Sequence, residues 1–222
     1  MMIDNKEILK SFSGSVPLFA LPNFVMFPKT AYSFNVFEPR YKEMVSDILK
    51  TDKLFCINLL KDNSESEVNS IGTLCYIIES KKLDSGNYTL IASGIKKIKI
   101  NDINKTKSYD IAKLDLIEDN DTVTEEQLKR KKLINKFISL VASSNENINL
   151  NIIDTSMIST EMLTNLGSLI LPLENEDKQK LLELNDVELR LEVLCQFLDS
   201  ELKVESDLIN FNQIIPTNIN WN

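Results

Sequence analysis

The chain has 222 residues, of which 43% are hydrophobic and 26% are charged, and its formal net charge is −8. These values are typical of a globular protein with a sizeable core and argue against a fibrous or wholly disordered chain. Because the sequence contains no histidine, imidazole-ligated zinc and the ordinary Ser-His and Cys-His catalytic pairs are excluded. Carboxylates and lysines remain as candidate acids, bases or nucleophiles.

The excess negative charge lies entirely in the second half of the chain. Residues 1–120 carry 16 basic and 16 acidic side chains, whereas residues 121–222 carry 9 and 17. An acidic surface repels phosphate backbones, so we expect no nucleic-acid partner.

The sequence predicts a cytoplasmic protein without a membrane partner. It has no run of about 18 apolar residues, and its N-terminus lacks a basic region followed by an apolar one. The three cysteines, Cys56, Cys75 and Cys195, are far apart in apolar surroundings. We interpret them as core residues, not as metal ligands or a disulfide pair.

Residues 15–120 are predicted to form a β-barrel or sandwich with one inserted helix. Short β-branched and aromatic runs alternate here with Pro, Gly, Asn and Asp, which favours strands. A turn at residues 83–88 predicts a hairpin, and Pro39 begins an apolar stripe at helical spacing that predicts a helix over 39–50. The predicted strands cover residues 16–22, 24–28, 31–37, 54–60, 72–80, 88–94, 95–100 and 109–119.

Residues 121–204 are predicted to form a helical bundle, because the apolar period changes there from two to about 3.6. The predicted helices cover residues 124–144, 162–170, 174–184 and 186–202. Pro172 ends the second of these, and Asp186 is a candidate cap for the last. Residues 205–222 are a tail for which disorder and packing against the body both stay open.

Catalytic signatures are missing from the sequence. With five glycines in all, it has no G-x-x-x-x-G-K-[ST] phosphate loop, no G-x-G-x-x-G turn and no G-x-S-x-G elbow. Its carboxylates are scattered, with no close pair that the sequence places in one cleft. We therefore expect no enzyme, no catalytic residue, no cofactor and no metal site.

Two parts of the sequence carry a family resemblance. The first is VPLFALPNFVMFP (16–28), followed by VFEPRYKEMV (36–45) and IGTLCYIIESKKLDSGNYTLIASGIKKIKI (71–100). The second is MISTEMLTNLGSLILPLENEDKQKLLELNDVELRLEVLCQFLDSEL (157–202). In order and spacing, these segments resemble the N-terminal substrate-binding domain of ATP-dependent Lon proteases.

The resemblance implies an α+β fold, in which a PUA-like β-barrel precedes an α-helical bundle. Full Lon proteins continue into an ATPase and a protease with a Ser-Lys dyad, and this chain has no counterpart of either. It therefore looks like a stand-alone bacterial copy of the recognition domain, which is related to proteolysis and has no catalytic residues to inherit.

The candidate polypeptide-binding residues lie in an aromatic segment at residues 19–37. Its neighbouring positions are apolar on both strand faces, so part of this surface is a candidate binding patch for exposed apolar segments. The alternative is that these side chains fill the barrel and pack on the helix at 39–50. The candidates from this segment are Phe24, Met26, Phe27 and Phe37.

Arg40 is the fifth candidate. Its guanidinium is suited to a ligand carboxylate or a peptide carbonyl. The alternative is a pair with Glu38 or a nearby aspartate that fixes the start of the helix.

We interpret the chain as a non-catalytic polypeptide-recognition module, an adaptor or regulator that binds unfolded proteins or a partner such as a protease or chaperone. The alternative is an RNA-binding PUA-like domain, although the charge distribution speaks against it. The sequence alone names neither the client nor the oligomeric state.

Overall fold

The computed structural model describes residues 5–61, 64, 67–105, 107–120, 127–143 and 158–200. The chain divides into two compact units, Met1–Glu118 and Asp119–Asn222, and each is described by itself. The finer subdomain limits given above, 15–120, 121–204 and 205–222, stay a prediction.

The first unit is a mixed α+β structure, as expected. A short helix that the sequence did not predict precedes the strands, and the predicted helix at Pro39 is confirmed. In chain order the elements are α1 (Asn5–Lys10), β1 (Ser15–Leu21), β2 (Ala31–Val36), α2 (Pro39–Ile48), β3 (Leu54–Leu59), β4 (Ile71–Lys82), β5 (Tyr88–Asn104) and β6 (Ile111–Ile117).

The sheet closes into a barrel because β5 is long enough to have different partners along its length. Its first half pairs with β2 and its second half with β6, while β4 follows its other side. Since β1 pairs in parallel with β3 and antiparallel with β6, the ring β5-β4-β3-β1-β6 closes on itself. Among the described strands, β2 lies outside this ring and pairs only with β5.

Two apolar cores lie on the two faces of the strands. One contains Phe19, Phe34, Phe55 and the buried face of α2, and the other contains Val16, Leu18, Leu54 and Cys56 with residues of α1 packed against it. Consecutive residues of β3 therefore enter different cores. This explains why all six residues of β3 are buried and do not alternate between buried and exposed.

The predicted strand at residues 24–28 is wrong. Residues 22–30 form an irregular segment, and Val25, Met26 and Phe27 are buried in succession. Its main-chain groups find partners outside any regular ladder: the Thr73 hydroxyl donates to the Met26 carbonyl at 2.6 Å. The Lys29 amide donates to the Gly94 carbonyl at 2.8 Å.

Gly94 allows this segment to lie against the sheet. A Cβ at this position would overlap the Phe27 carbonyl oxygen and lie 3.2 Å from the Pro28 Cα. The three atoms nearest to this Cβ all belong to the main chain of Phe27 and Pro28, so no flexible side chain can move aside to make room. The predicted strands at 88–94 and 95–100 are thus one strand. Gly94 does not end this strand but allows the main chain of Phe27 to lie close to it.

We expect Gly94→Ala to lower the free energy of unfolding by about 2 to 3 kcal/mol, because the added methyl group forces the two main chains apart. Chemical denaturation followed by circular dichroism measures the change. Gly86→Ala is the matched control, since Gly86 has open space around it and only its positive φ of 78° opposes alanine, at a cost of about 1 kcal/mol. A smaller loss at position 94 than at position 86 would contradict the packing argument.

The second unit contains four described helices, which match the predicted ones closely: α3 (Gln127–Ser143), α4 (Thr160–Ile170), α5 (Asn175–Glu183) and α6 (Val187–Ser200). The predicted cap is confirmed, because the Asp186 carboxylate accepts from the amides of Glu188 and Leu189 at 2.9 and 3.1 Å. Leu171, before Pro172, has an extended ψ of 145° and ends α4. The predicted start at 124, the connector at 145–154 and the tail lie outside the described residues.

Arg190 holds the second unit together from its interior. Its side chain is fully buried on α6 and donates to Asn165 Oδ1 at 2.6 Å and to Asp119 Oδ2 at 2.7 Å. It also donates to the carbonyls of Leu181 and Leu184, at 3.1 and 2.5 Å, where α5 ends. One guanidinium thus joins α4, α5, α6 and the segment before α3.

Arg190→Met should lower the free energy of unfolding by about 3 to 5 kcal/mol, because the buried Asp119 carboxylate loses its charged partner. Urea denaturation measures the loss. Lys180→Met is a suitable control, since it removes an exposed pair with Asp177 and should leave the unfolding midpoint nearly unchanged. Equal midpoints for the two variants would mean that the Arg190 contacts contribute little.

Candidate functional site

Three aromatic side chains form a cluster at the surface of the first unit. The ring centroids of Phe24 and Tyr32 are 4.5 Å apart, those of Phe24 and Phe34 5.2 Å, and those of Tyr32 and Phe34 5.0 Å. Phe34 is buried, whereas Phe24 and Tyr32 are half-buried and pack on the outside of the core. We call these three residues the aromatic cluster.

The aromatic cluster follows from the local backbone. Tyr32 and Phe34 are two residues apart on β2 and therefore share a face, and the irregular segment brings Phe24 alongside them. Partial burial raises the pKa of Tyr32 above its ordinary value, so its hydroxyl stays neutral near pH 7. Sequence reasoning missed Tyr32, although its two-residue spacing from Phe34 was the available signal.

The five predicted binding residues divide by burial. Met26 and Phe27 are 1% and 0% exposed, so their side chains offer no surface to a ligand in this structure. Phe24 is half-buried in the aromatic cluster, and Phe37 is 66% exposed just after β2. The binding role of these residues stays a prediction, and only Phe24, Phe37 and Arg40 offer side-chain surface for it.

Arg40 pairs with Glu38, which was the alternative to a ligand-binding role in the sequence analysis. Its Nε donates to Glu38 Oε2 at 3.0 Å, and its guanidinium lies 4.5 Å from the centroid of the Tyr41 ring. Both members of the ion pair are nearly half exposed. The pair is therefore weak and screened by solvent, and the guanidinium remains accessible to an additional acceptor.

A shallow cleft of about 140 Å³ lies beside Arg40. Burial raises the pKa of Tyr41, whose hydroxyl donates to the Ala20 carbonyl at 2.9 Å in the wall of the cleft. Cationic and anionic groups both line it, so its charge favours no single sign. The lining residues are Leu18, Ala20, Arg40, Tyr41, Lys105, Ser108, Tyr109 and Asp110.

A polar network fastens the loop before β6 to α2. Asp47 Oδ2 accepts from Lys107 Nζ at 3.0 Å and from the Tyr109 hydroxyl at 2.8 Å. The Ser108 hydroxyl donates to Glu43 on the same helix at 2.8 Å. The hydrogen bond from Lys107, followed by that from Tyr109, lowers the pKa of Asp47 to about 2.

The buried cysteines offer no reactive group. Removal from water raises the pKa of the Cys56 and Cys75 thiols far above the ordinary value, so both stay protonated and unreactive. Within the described ranges, no three His, Cys, Asp or Glu side chains are grouped so that they could hold a metal ion. No helix among the same residues is long and apolar enough to cross a membrane.

A family model described as the ATP-dependent protease La (LON) substrate-binding domain matches residues 15–200. The chain belongs to this family. Among curated relatives, it is 24% identical over 196 residues to the Lon protease of Buchnera aphidicola from Acyrthosiphon pisum, which covers 85% of this chain and 25% of that protein. It is 23% identical over 197 residues to Lon protease 1 of Bacillus subtilis, covering 86% and 26% respectively.

Solved structures of LON N-terminal domains have the same fold. One is a Lon N-terminal domain protein from Xanthomonas campestris, with a TM-score of 0.63, 21% identity and coverage of 83% of this chain and 97% of that one. Another is the N-terminal domain of a Mycobacterium avium complex Lon protease, with a TM-score of 0.63, 18% identity and coverage of 85% and 100%. The chain spans about a quarter of the length of the curated Lon proteases it matches.

We expect Lys107→Met to raise the pKa of Asp47 from about 2 toward its ordinary value of 3.8. Because the pKa is depressed in the folded state, the carboxylate contributes stability above pH 3.8 that is lost as the pH falls through about 2. Titration of the side-chain carboxyl carbon by NMR measures the shift. Lys50→Met is the control, since Lys50 Nζ makes only a long contact of 3.4 Å with Asp47 Oδ1. An equal shift of the Asp47 pKa in both variants would contradict the conclusion that Lys107 is the main cause of the low pKa.

Proposed function

We propose that this member of the LON substrate-binding family is a non-catalytic recognition module that binds unfolded polypeptide through the first unit. Exposed aromatic surface beside β2 is the observation that carries the proposal. As an adaptor or regulator, the module would present its client to a partner such as a protease or chaperone. The family's own description as a substrate-binding domain supports the class of ligand.

The aromatic surface is suited to apolar segments of varied sequence. Phe37 keeps two thirds of its surface in water, and the half-buried Phe24 and Tyr32 add ring faces supported from below by Phe34. Because packing on the core fixes the rings of Phe24 and Tyr32, these two offer apolar area without an additional ordering cost. Such a surface would select for apolar character and not for one sequence.

Arg40 adds a polar contact to the same proposal. Phe37 lies two residues before α2, and Arg40 is the second residue of that helix, where its guanidinium lies over the Tyr41 ring. A peptide carbonyl or carboxylate beside Phe37 would accept from it with little rearrangement. RNA binding gains no support from the family match, which describes a protease substrate-binding domain.

The double variant Phe24→Ser/Phe37→Ser should bind unfolded polypeptide about tenfold or more weakly, since two aromatic anchors are removed. The probe is fluorescently labelled α-lactalbumin that has been reduced and carboxymethylated, titrated by fluorescence anisotropy. Unchanged affinity in the double variant would contradict the proposed surface.

Two further variants make this test specific. Leu128→Ser removes an 85% exposed apolar side chain from the second unit and should leave binding within about twofold of the unaltered protein. Met26→Ser places a hydroxyl in the core, and it should lower the melting temperature markedly. The Met26 variant therefore shows how binding changes when the protein is destabilised. A double variant that loses binding but keeps its melting temperature has lost a surface contact and has not unfolded.

A further inference from the structure

The strand β2 has an open edge, by which we mean the side of β2 turned away from β5. In the part of the chain that the structure describes, no strand pairs with this side. The pairing between β2 and β5 runs from Ala31↔Ser93 to Val36↔Tyr88 without a bulge. The open edge is therefore straight and regular over the whole strand.

The register determines which main-chain groups face outward. The Gly94 amide donates to the Thr30 carbonyl, so every second residue from Thr30 onward turns its N–H and C=O toward β5. Ala31, Ser33 and Asn35 consequently turn theirs toward the open edge. Within the described ranges, no hydrogen bond reaches their main-chain groups from that side.

The open edge lacks the features that usually protect an edge strand. Proteins guard such strands with lysines, prolines or bulges, and β2 (AYSFNV) has no charged residue and no proline. The same sheet contains a guarded counterexample, since β4 extends past the end of β3 at residues 77–82. That stretch carries Glu79, Lys81 and Lys82 and begins with a bulge.

We propose that the open edge of β2 binds an extended segment of polypeptide by strand addition, with the client's main chain completing the hydrogen bonds of Ala31, Ser33 and Asn35. This inference rests on the proposed function and specifies how the client is held. Its occupant is an uncharged, proline-free stretch of unfolded chain. Main-chain groups are the complementary partner that these residues lack.

The position of the aromatic cluster gives the added strand a side-chain preference. Tyr32 and Phe34 lie on the core face of β2, and the Phe24 ring packs against both of them. Alternate side chains of an added strand would therefore lie beside aromatic rings, whereas the others would lie beside Ser33 and Asn35. We expect apolar residues to be selected at every second position only.

Amide hydrogen exchange measured by NMR tests the added strand on the unaltered protein. The probe is the peptide acetyl-KTVTFTVTK-amide, and its counterpart carries N-methyl groups on the three central residues, which blocks both of its own edges. Without the peptide, the amides of Ser33 and Asn35 should exchange much faster than those of Tyr32 and Phe34. With the peptide, exchange at Ser33 and Asn35 should slow tenfold or more, and the methylated peptide should have no effect.

A proline variant provides an independent test of the same edge. Because the Ser33 amide faces outward, Ser33→Pro removes a bond only from the added strand and leaves the pairing with β5 intact. It should weaken binding of the probe peptide tenfold or more, measured by isothermal titration calorimetry. Ser33→Ala keeps the amide and should bind within twofold of the unaltered protein.

The outcomes separate this inference from the proposed function. If the peptide binds but exchange at Ser33 and Asn35 is unchanged, the strand-addition inference fails while polypeptide recognition stands. If neither the peptide nor unfolded α-lactalbumin binds, both fail. If exchange at Ser33 slows with protein concentration in the absence of peptide, a second copy of the chain occupies the edge, and the inference is likewise overturned.

Discussion

The close approach of residues 22–30 to β5 at Gly94 is the constraint on which the first unit depends. It lets an irregular segment lie directly against the sheet, with Met26 and Phe27 in the core. The segment then reverses at Lys29, which has a positive φ of 60°, and leads directly into β2. The position of Phe24, and with it the aromatic cluster, follows from this path.

The same geometry explains why the barrel carries one strand outside its ring. The pairing of β5 with β2 ends at Ser93, and its pairing with β6 begins at Lys97, so the change of partner occurs around Gly94. Because β2 pairs with the first half of β5 and β6 pairs with the second half, it is β6 that closes the barrel and β2 stays outside the ring. The open edge and the aromatic cluster are therefore consequences of one switch in pairing.

Sequence patterns predicted those elements whose signals are local. Pro39 with an apolar stripe, the turn containing Gly86 and the Asp186 cap all depend on residues within a few positions of each other. The prediction of a strand at residues 24–28 failed because four successive buried residues, 25–28, resemble a buried strand. The contacts that prevent a strand there come from Gly94 and Thr73, which are distant in sequence. Arg190 is the same kind of case, since its partners Asp119 and Asn165 are 71 and 25 positions away.

The candidate binding residues include both buried and exposed side chains, and the sequence alone did not show which were which. Phe27 and Phe37 are both phenylalanines near one strand, yet one is fully buried and the other is 66% exposed. If the proposed recognition of unfolded chains holds, main-chain groups and exposed rings would have a physical advantage as the binding surface. Every polypeptide carries the main-chain groups and every unfolded protein exposes apolar side chains, so such a surface would accept many sequences and would reject folded proteins, whose strands are already paired.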